Sequence, residues 1–434
     1  MSRLVAWQLR TAFAARLSDM YGREVPAYTT LLEVAAEVNA DVVAARGGDA
    51  GRLGSIERVT AERHGAIRLG TPEELAQVAT VFAAMGMQPV GFYDLREAAS
   101  PVPVVSTAFR PVLANELARN PFRVFTSVLT PSDRRFFPAD LQARLERALD
   151  DRMLFGGELL DLAARAEAEG GLDADAAERF LILAVAAFEL SPEPVDRAWY
   201  DELAAVSAVA ADIGGVRSTH VNHLTPRVLD IDELYARMTA RGTPMIDDIQ
   251  GPPAWEGPDV LLRQTSFRAL AEPRSFRLPD GSVARDDLRV RFGEVEARGV
   301  ALTRQGRAVY DAAVAKVAAL GLPTATERQA ASVQVWRRSF PATEEALFDA
   351  GLAYAEHRVV AGREVRVPIV YEDFLPQSAA GIFASNLSAD ATTDASQAGT
   401  PLDEGWLAGA MGRTVHDPFE LYEAQAARSR LALR

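Results

Sequence analysis

The chain has 434 residues, 48% apolar and 24% charged, an ordinary balance for a water-soluble globular protein with core enough for two to three domains. Its net charge of −14 argues against nucleic acid as a partner, because phosphate binding needs a basic surface. The absence of cysteine excludes disulfides, thiolate metal ligands and a cysteine nucleophile, so any transition metal must be held by His and carboxylates.

The N-terminus, Met1 to Arg10, has no long apolar stretch. No run reaches the ~18 apolar residues of a membrane span, which predicts a cytoplasmic protein with no membrane partner. Apolar residues at helical spacing predict helices over 2–20 and 27–45, broken at Tyr21-Gly22 and Pro26. His64 opens a strand (64–70), and the acidic start Thr71-Pro72-Glu73-Glu74 opens a helix (71–86). Strands follow from Pro89 to Asp94, Val104 to Val112 and Pro121 to Leu129, which makes one βαβββ unit. Residues 132–212 are rich in Ala, Leu and Glu. Their helical periodicity through 139–169, 174–190 and 196–211 predicts an insertion lying outside the sheet.

The same grammar returns at His223-Leu224-Thr225-Pro226-Arg227, followed by a helix over 230–241 with an acidic start. Strands are expected near 260–270, 273–278 and 287–298. In both copies an Arg stands four residues after the His, and Thr107-Ala108-Phe109-Arg110 matches Thr265-Ser266-Phe267-Arg268. The spacing from His64 to Arg110 is 46 residues, and from His223 to Arg268 it is 45. A unit of that size, duplicated, predicts an α+β fold of paired βαβββ units whose first strands meet. Helices over 303–320 and 342–357, a strand from Val365 to Phe374, a loop over 386–404 and a closing helix from Asp417 to Leu431 complete the chain. The expected division is 1–60 N-terminal helices, 61–131 first unit, 132–212 insertion, 213–300 second unit and 301–434 C-terminal segments, all in one body.

Only five histidines exist: His64, His220, His223, His357 and His416. A lone strand His is usually a satisfied core residue, but His64 and His223 occupy corresponding positions and would converge. A carboxylate from the last strand, Glu294 or Glu296, would complete a two-His-one-carboxylate face with open metal positions. The two Glu alternate on a strand and point the same way. Such a face suits oxygen chemistry: a 2-oxo acid can fill two open positions and leave one for O2, which a closed four-ligand zinc site cannot offer. Arg68 and Arg227, at even spacing from the His, share its side of the strand. Each is a candidate bidentate partner for a substrate carboxylate or a structural ion pair. Arg110 and Arg268 read as structural. No phosphate-binding glycine loop and no serine nucleophile elbow is present.

Several segments carry a resemblance: Glu62 to Gly70, Phe82 to Leu95, Ser106 to Pro111, Val221 to Asp230, Phe292 to Gly299 and Pro376 to Leu387. Together they resemble the 2-oxoadipate dioxygenase/decarboxylase (hydroxyglutarate synthase) family of the vicinal oxygen chelate superfamily, over nearly the whole chain. The resemblance implies a curved sheet around Fe(II), held by two His and one Glu. The implied reaction is conversion of 2-oxoadipate and O2 to D-2-hydroxyglutarate and CO2 in lysine breakdown. By motif it implies His64 and Glu294 as metal ligands and Arg68 as the grip on substrate carboxylate. The setting Phe292-Gly293-Glu294-Val295-Glu296-Ala297-Arg298, with the Glu four before an Arg, also resembles the iron-ligand strand of hydroxyphenylpyruvate dioxygenase. For the second His the internal repeat selects His223, with His220, three residues earlier, as the alternative. Gln377 and Ser378 fall where the family places residues beside the substrate, and Gln377 replaces an expected small apolar residue, which bears on substrate length. Two other readings fit the paired units: another metal-dependent vicinal oxygen chelate enzyme (an isomerase or ring-cleaving dioxygenase), or a metal-free ligand-binding protein.

Overall fold

Two helices open the chain, α1 (Ala6–Glu24) and α2 (Pro26–Arg46), separated at Val25 because proline lacks a backbone N–H and suits only a helix's first turn. The computed structural model describes residues 3–47, 53–98, 100–289, 291–375, 393–394 and 396–433. A short helix, α3 (Ile56–Ala61), leads into β1 (Arg63–Leu69). Next comes α4 (Pro72–Ala84), whose start is written in its sequence. The Thr71 hydroxyl accepts from the Glu74 N–H at 3.1 Å, Pro72 takes the first position, and Glu73 and Glu74 face the positive end of the helix dipole. The unit closes with β2 (Gln88–Asp94), β3 (Val104–Arg110), a short α5 (Ala114–Arg119) and β4 (Arg123–Leu129). Its strand order is β2-β3-β4-β1, with β1 and β4 parallel and the other pairs antiparallel.

The insertion holds α6 (Ala139–Asp150), α7 (Gly157–Glu169), α8 (Ala174–Ala186), the two-residue β5 (Val195–Asp196), α9 (Arg197–Val206) and α10 (Ala208–Gly214). The stretch expected as helical over 139–169 is broken before Gly156-Gly157. The second unit contains β6 (His223–Pro226), α11 (Ile231–Ala240), β7 (Leu262–Phe267), β8 (Glu272–Arg277), β9 (Val283–Leu288) and β10 (Gly293–Arg298). β6 runs antiparallel to β1, pairing His64 with Thr225 and Ala66 with His223. On its other side Arg227 bridges Glu296 in parallel, β10 pairs antiparallel with β7, and Met245 and Gln250 bridge Phe267 and Gln264. The second unit thus repeats the first, with the irregular segment 245–250 in the place of β2.

Two strand expectations are corrected here. Residues 273–278 are not the third strand of the second unit but belong to a β8–β9 hairpin that joins β5 in a separate three-stranded sheet. The expected strand over 287–298 is two strands. The chain leaves the hairpin at Leu288, and Arg291, ion-paired to Glu272 and Glu24, turns it inward before β10. The exposed, charged β9 and the buried β10 have different neighbours, so one periodicity cannot describe both.

In the C-terminal part lie α12 (Arg304–Ala318), α13 (Ala325–Ser339), α14 (Glu344–Asp349), β11 (Ala355–Val360), β12 (Arg363–Pro368), α15 (Glu404–Met411) and α16 (Pro418–Leu431). The helix expected over 342–357 stops at Asp349, and its last three residues, 355–357, begin β11 of the β11–β12 hairpin. α13 was not expected, although its Thr324–Glu327 capping box is a sequence signal for a helix start.

Alternation along the strands divides the core. Ile67, Leu69, Val124 and Val128 pack with Leu75, Val78 and Phe82 of α4 and Phe13 and Leu17 of α1. Ala66, Ala108 and Phe125 face the other way and meet Phe292 and Phe374. Each large side chain buried in this way contributes about 1.5–3 kcal/mol. The inner face carries the polar residues described next. Among the described residues no helix is long and apolar enough to cross a membrane.

Candidate metal centre

β1, β6 and β10 lie side by side, so the even positions of β1 and β10 and the odd positions of β6 look onto one inner face. His64, His223 and Glu294 meet there, all buried, with candidate ligand atoms within 4.8 Å of one another. Nε2 of His223 stands 3.1 Å from Glu294, and Nε2 of His64 stands 3.8 Å from it. The imidazoles are edge to face, 5.5 Å between centroids, and Phe374 packs its ring against His64 at 4.9 Å. Glycine at position 293 lets β10 approach closely, because a Cβ there would overlap the Phe267 ring on β7 unless one of them shifted. That close approach seats β10, and with it Glu294, against its neighbour.

The electrostatics suit a cation. Burial, reinforced by Glu296, pushes the Glu294 carboxyl well above the usual carboxylate range. Burial pulls both imidazoles below the ordinary His value, His223 furthest, with His64 and Arg68 adding to the effect there. Among the described residues Glu294 has no Arg or Lys within ion-pair distance, and Nδ1 of His223 is buried without a hydrogen-bond partner. Two neutral imidazoles and a carboxylate lacking a counter-charge form an N/O donor set that a divalent ion would complete. The Gln264 amide donates to Oε1 of Glu294 and fixes its plane.

Behind His64 lies a buried ionic cluster. Nδ1 of His64 stands 3.0 Å from Glu296. Glu296 accepts from Arg298 at 2.6 and 2.8 Å and from Arg123 at 3.3 Å. Arg123 and Arg227 donate to Glu62 at 2.8 and 2.9 Å, and Arg123 and Arg58 both pair with Glu372. Burial would raise the Glu296 carboxyl, but Arg298 and His64 outweigh it and hold the group ionised. Glu294 and Glu296, two residues apart on one side of β10, therefore have different partners. Glu294 looks at both His residues, whereas Glu296 supports the back of one.

His220 does not join the group. Its Nε2 stands 3.2 Å from Asp212 of α10, and Asn222 donates to the same carboxylate at 2.9 Å. Arg68 also pairs with Asp212 and is buried. Arg227, its repeat counterpart, lies in the ionic cluster and donates to the Leu53 carbonyl at 2.9 Å. The antiparallel pairing of β1 and β6 carries the two Arg residues to opposite ends of the strand pair. Arg110 pairs with buried Asp373 and Arg268 with exposed Asp247. His357 contacts Glu364 away from the group, and the His416 backbone bridges Val90. Gln377 and Ser378 lie outside the described residues.

Sequence reasoning missed Asp212, Gln264 and the cluster formed by Glu62 with Arg123. Two of these had a signal: Glu62 precedes His64 by two residues, and Gln264 lies two before Ser266, which pairs with Glu294. Asp212 had none. The insertion expected to lie outside the sheet sends the end of α10 into its inner face, which corrects that expectation.

The chain matches the model of the family described as 2-oxoadipate dioxygenase/decarboxylase over residues 13–386. It is 60% identical over 428 residues to a Mycobacterium bovis protein of that name, covering 99% of each chain. The crystal structure of hydroxyglutarate synthase from Pseudomonas putida in complex with 2-oxoadipate superposes with a TM-score of 0.86 at 38% identity, covering 100% of this chain and 98% of that one. A putative glyoxalase superfamily protein from Ralstonia eutropha, 21% identical, shares the fold with a TM-score of 0.51, covering 68% of this chain and 84% of its own.

Proposed function

The chain belongs to the 2-oxoadipate dioxygenase/decarboxylase family, and we propose that it converts 2-oxoadipate and O2 to D-2-hydroxyglutarate and CO2, as a cytoplasmic enzyme of lysine breakdown. The observation that carries the reading is the convergence of His64, His223 and Glu294 on one buried point of a paired βαβββ sheet. These three are the proposed ligands of Fe(II), which supplies the O2 binding and redox chemistry when bound.

The atoms balance without a separate co-substrate. The C1 carboxylate leaves as CO2, one oxygen of O2 enters the new carboxylate at the former keto carbon, and the other becomes the 2-hydroxyl. The chain's own residues bind and orient. Arg68 pairs with a substrate carboxylate and fixes its position, a role that exploits the planar guanidinium fork. Glu296 holds the His64 ring from behind, and Gln264 holds the Glu294 plane. Phe374, Phe125 and Phe292 give the inner face an apolar wall that excludes water. Gln377 and Ser378 are proposed to lie beside the substrate, with Gln377 bearing on which diacid length is preferred.

The test is anaerobic loading with Fe(II), followed by O2-electrode and CO2 measurements across 2-oxo diacids of different length. Equal consumption of O2 and release of CO2 with 2-oxoadipate, with 2-hydroxyglutarate as product, is the expected result. No O2 uptake with any 2-oxo diacid by the iron-loaded protein would refute the reading.

A further inference from the structure

The group around Asp212 has a design that the metal centre does not explain. Asp212 is buried at the end of α10, and three side chains converge on it: Arg68 from β1, Asn222 at 2.9 Å and His220 at 3.2 Å from the segment entering β6. Asn222 also stands 3.2 Å from Nε2 of His220, so two of the three partners touch each other as well as the carboxylate. The Thr219 hydroxyl donates to the Arg68 carbonyl at 2.7 Å, tying the same segment to the Arg68 backbone. Burial alone would raise the Asp212 carboxyl, but His220 and Arg68 outweigh it and hold it below the usual carboxylate range. The carboxylate is thus a fixed anion, anchored from two chain segments. Arg68 stands four residues after His64 on β1 and therefore shares its side of the strand.

A long, flexible Arg side chain must lose rotamer entropy before it can present its fork in one plane. Here that ordering is done before substrate arrives. From this geometry we infer that Asp212, held by His220 and Asn222, is the positioning residue for the carboxylate-gripping Arg68, so that the helical insertion completes the substrate site. This rests on the proposed role of Arg68. It also gives His220 a task distinct from that of His223, three residues away.

Two effects of removing the Asp212 charge oppose each other. An unanchored Arg68 would grip carboxylate less well, whereas loss of a nearby anion would leave Arg68 more attractive to a substrate anion. Positioning predicts that KM for 2-oxoadipate rises on Asp212→Asn; simple charge damping predicts that it falls. The experiment measures kcat, KM and metal affinity for Asp212→Asn, Arg68→Ala and the double variant, with thermal unfolding as a check on folding. Expected is a rise in KM of about 10- to 100-fold for Asp212→Asn, a smaller change in kcat, and unchanged metal affinity. On the Arg68→Ala background the same substitution should change KM by less than about 2-fold, because coupled residues are not additive. His220→Leu, milder for folding, should raise KM in the same direction with metal affinity retained.

An unchanged or lowered KM in Asp212→Asn, or a full effect persisting on the Arg68→Ala background, overturns the inference. If Asp212→Asn does not fold, an unchanged KM in His220→Leu overturns it. If Arg68→Ala itself leaves kcat/KM unchanged, the clamp in the proposed function fails and the inference falls with it. If only Asp212→Asn is silent, the inference alone falls.

Discussion

Glu296→Gln separates the metal-holding carboxylate from the supporting one. The substitution keeps side-chain volume and one oxygen but removes a charge 3.0 Å from Nδ1 of His64. Losing the carboxylate behind a metal-bound His typically lowers metal affinity 10- to 100-fold, or about 1.4–2.7 kcal/mol. Glu296 also accepts from Arg298 and Arg123. Its cluster sets Arg58, Arg123, Arg227 and Arg298 against Glu62, Glu296 and Glu372, four cations to three anions, and the variant leaves four to two. Removing one partner of a buried pair costs about 3–5 kcal/mol, an upper bound here because Gln retains an acceptor. Anaerobic Co(II) titration followed by its visible absorption bands gives the affinity, and chemical denaturation gives the stability. The reasoning is refuted if the folded variant binds Co(II) as tightly as wild type and unfolds at the same denaturant concentration.

His223→Ala should abolish stoichiometric metal binding while His220→Leu retains it, as read by metal analysis after dialysis; the reverse would reassign the second ligand. Glu294→Gln should bind metal poorly yet raise the melting temperature of the metal-free protein at neutral pH. The Glu294 carboxyl is raised by burial, so its contribution to stability is full below its unfolded value and is lost as pH rises through its folded one. Stability of the metal-free wild type should accordingly fall relative to Glu294→Gln as pH increases from about 4, and parallel pH profiles would argue against that assignment. Gly293→Ala should cost on the order of 1–3 kcal/mol and weaken metal binding, because the added methyl collides with Phe267 and displaces β10. A wild-type denaturation midpoint would show that the strand can give way.

Local regularities were legible in the chain because each has a local physical cause. The acidic helix starts of α4 and α11 follow from capping and the helix dipole. The strand alternation that puts Glu294 and Glu296 on one side follows from the pleat. The duplicated His-x-x-x-Arg announced paired units and chose His64 and His223, which the fold brings within reach of Glu294. Strand membership was not legible. β8 and β9 have strand-like sequences but pair with β5, while 245–250 has a poor strand pattern yet takes an edge place, because pairing is decided by which neighbour is available. Spacing by itself could not distinguish Arg68 from Arg227, which stand at the same distance along the chain from equivalent His residues; only the family resemblance favoured Arg68. The antiparallel junction of β1 and β6 sends one to Asp212 and the other to Glu62, a difference of position along a shared sheet that neither segment contains by itself. Asp212 is 144 residues from Arg68 along the chain, and only the return of α10 into the inner face makes them partners.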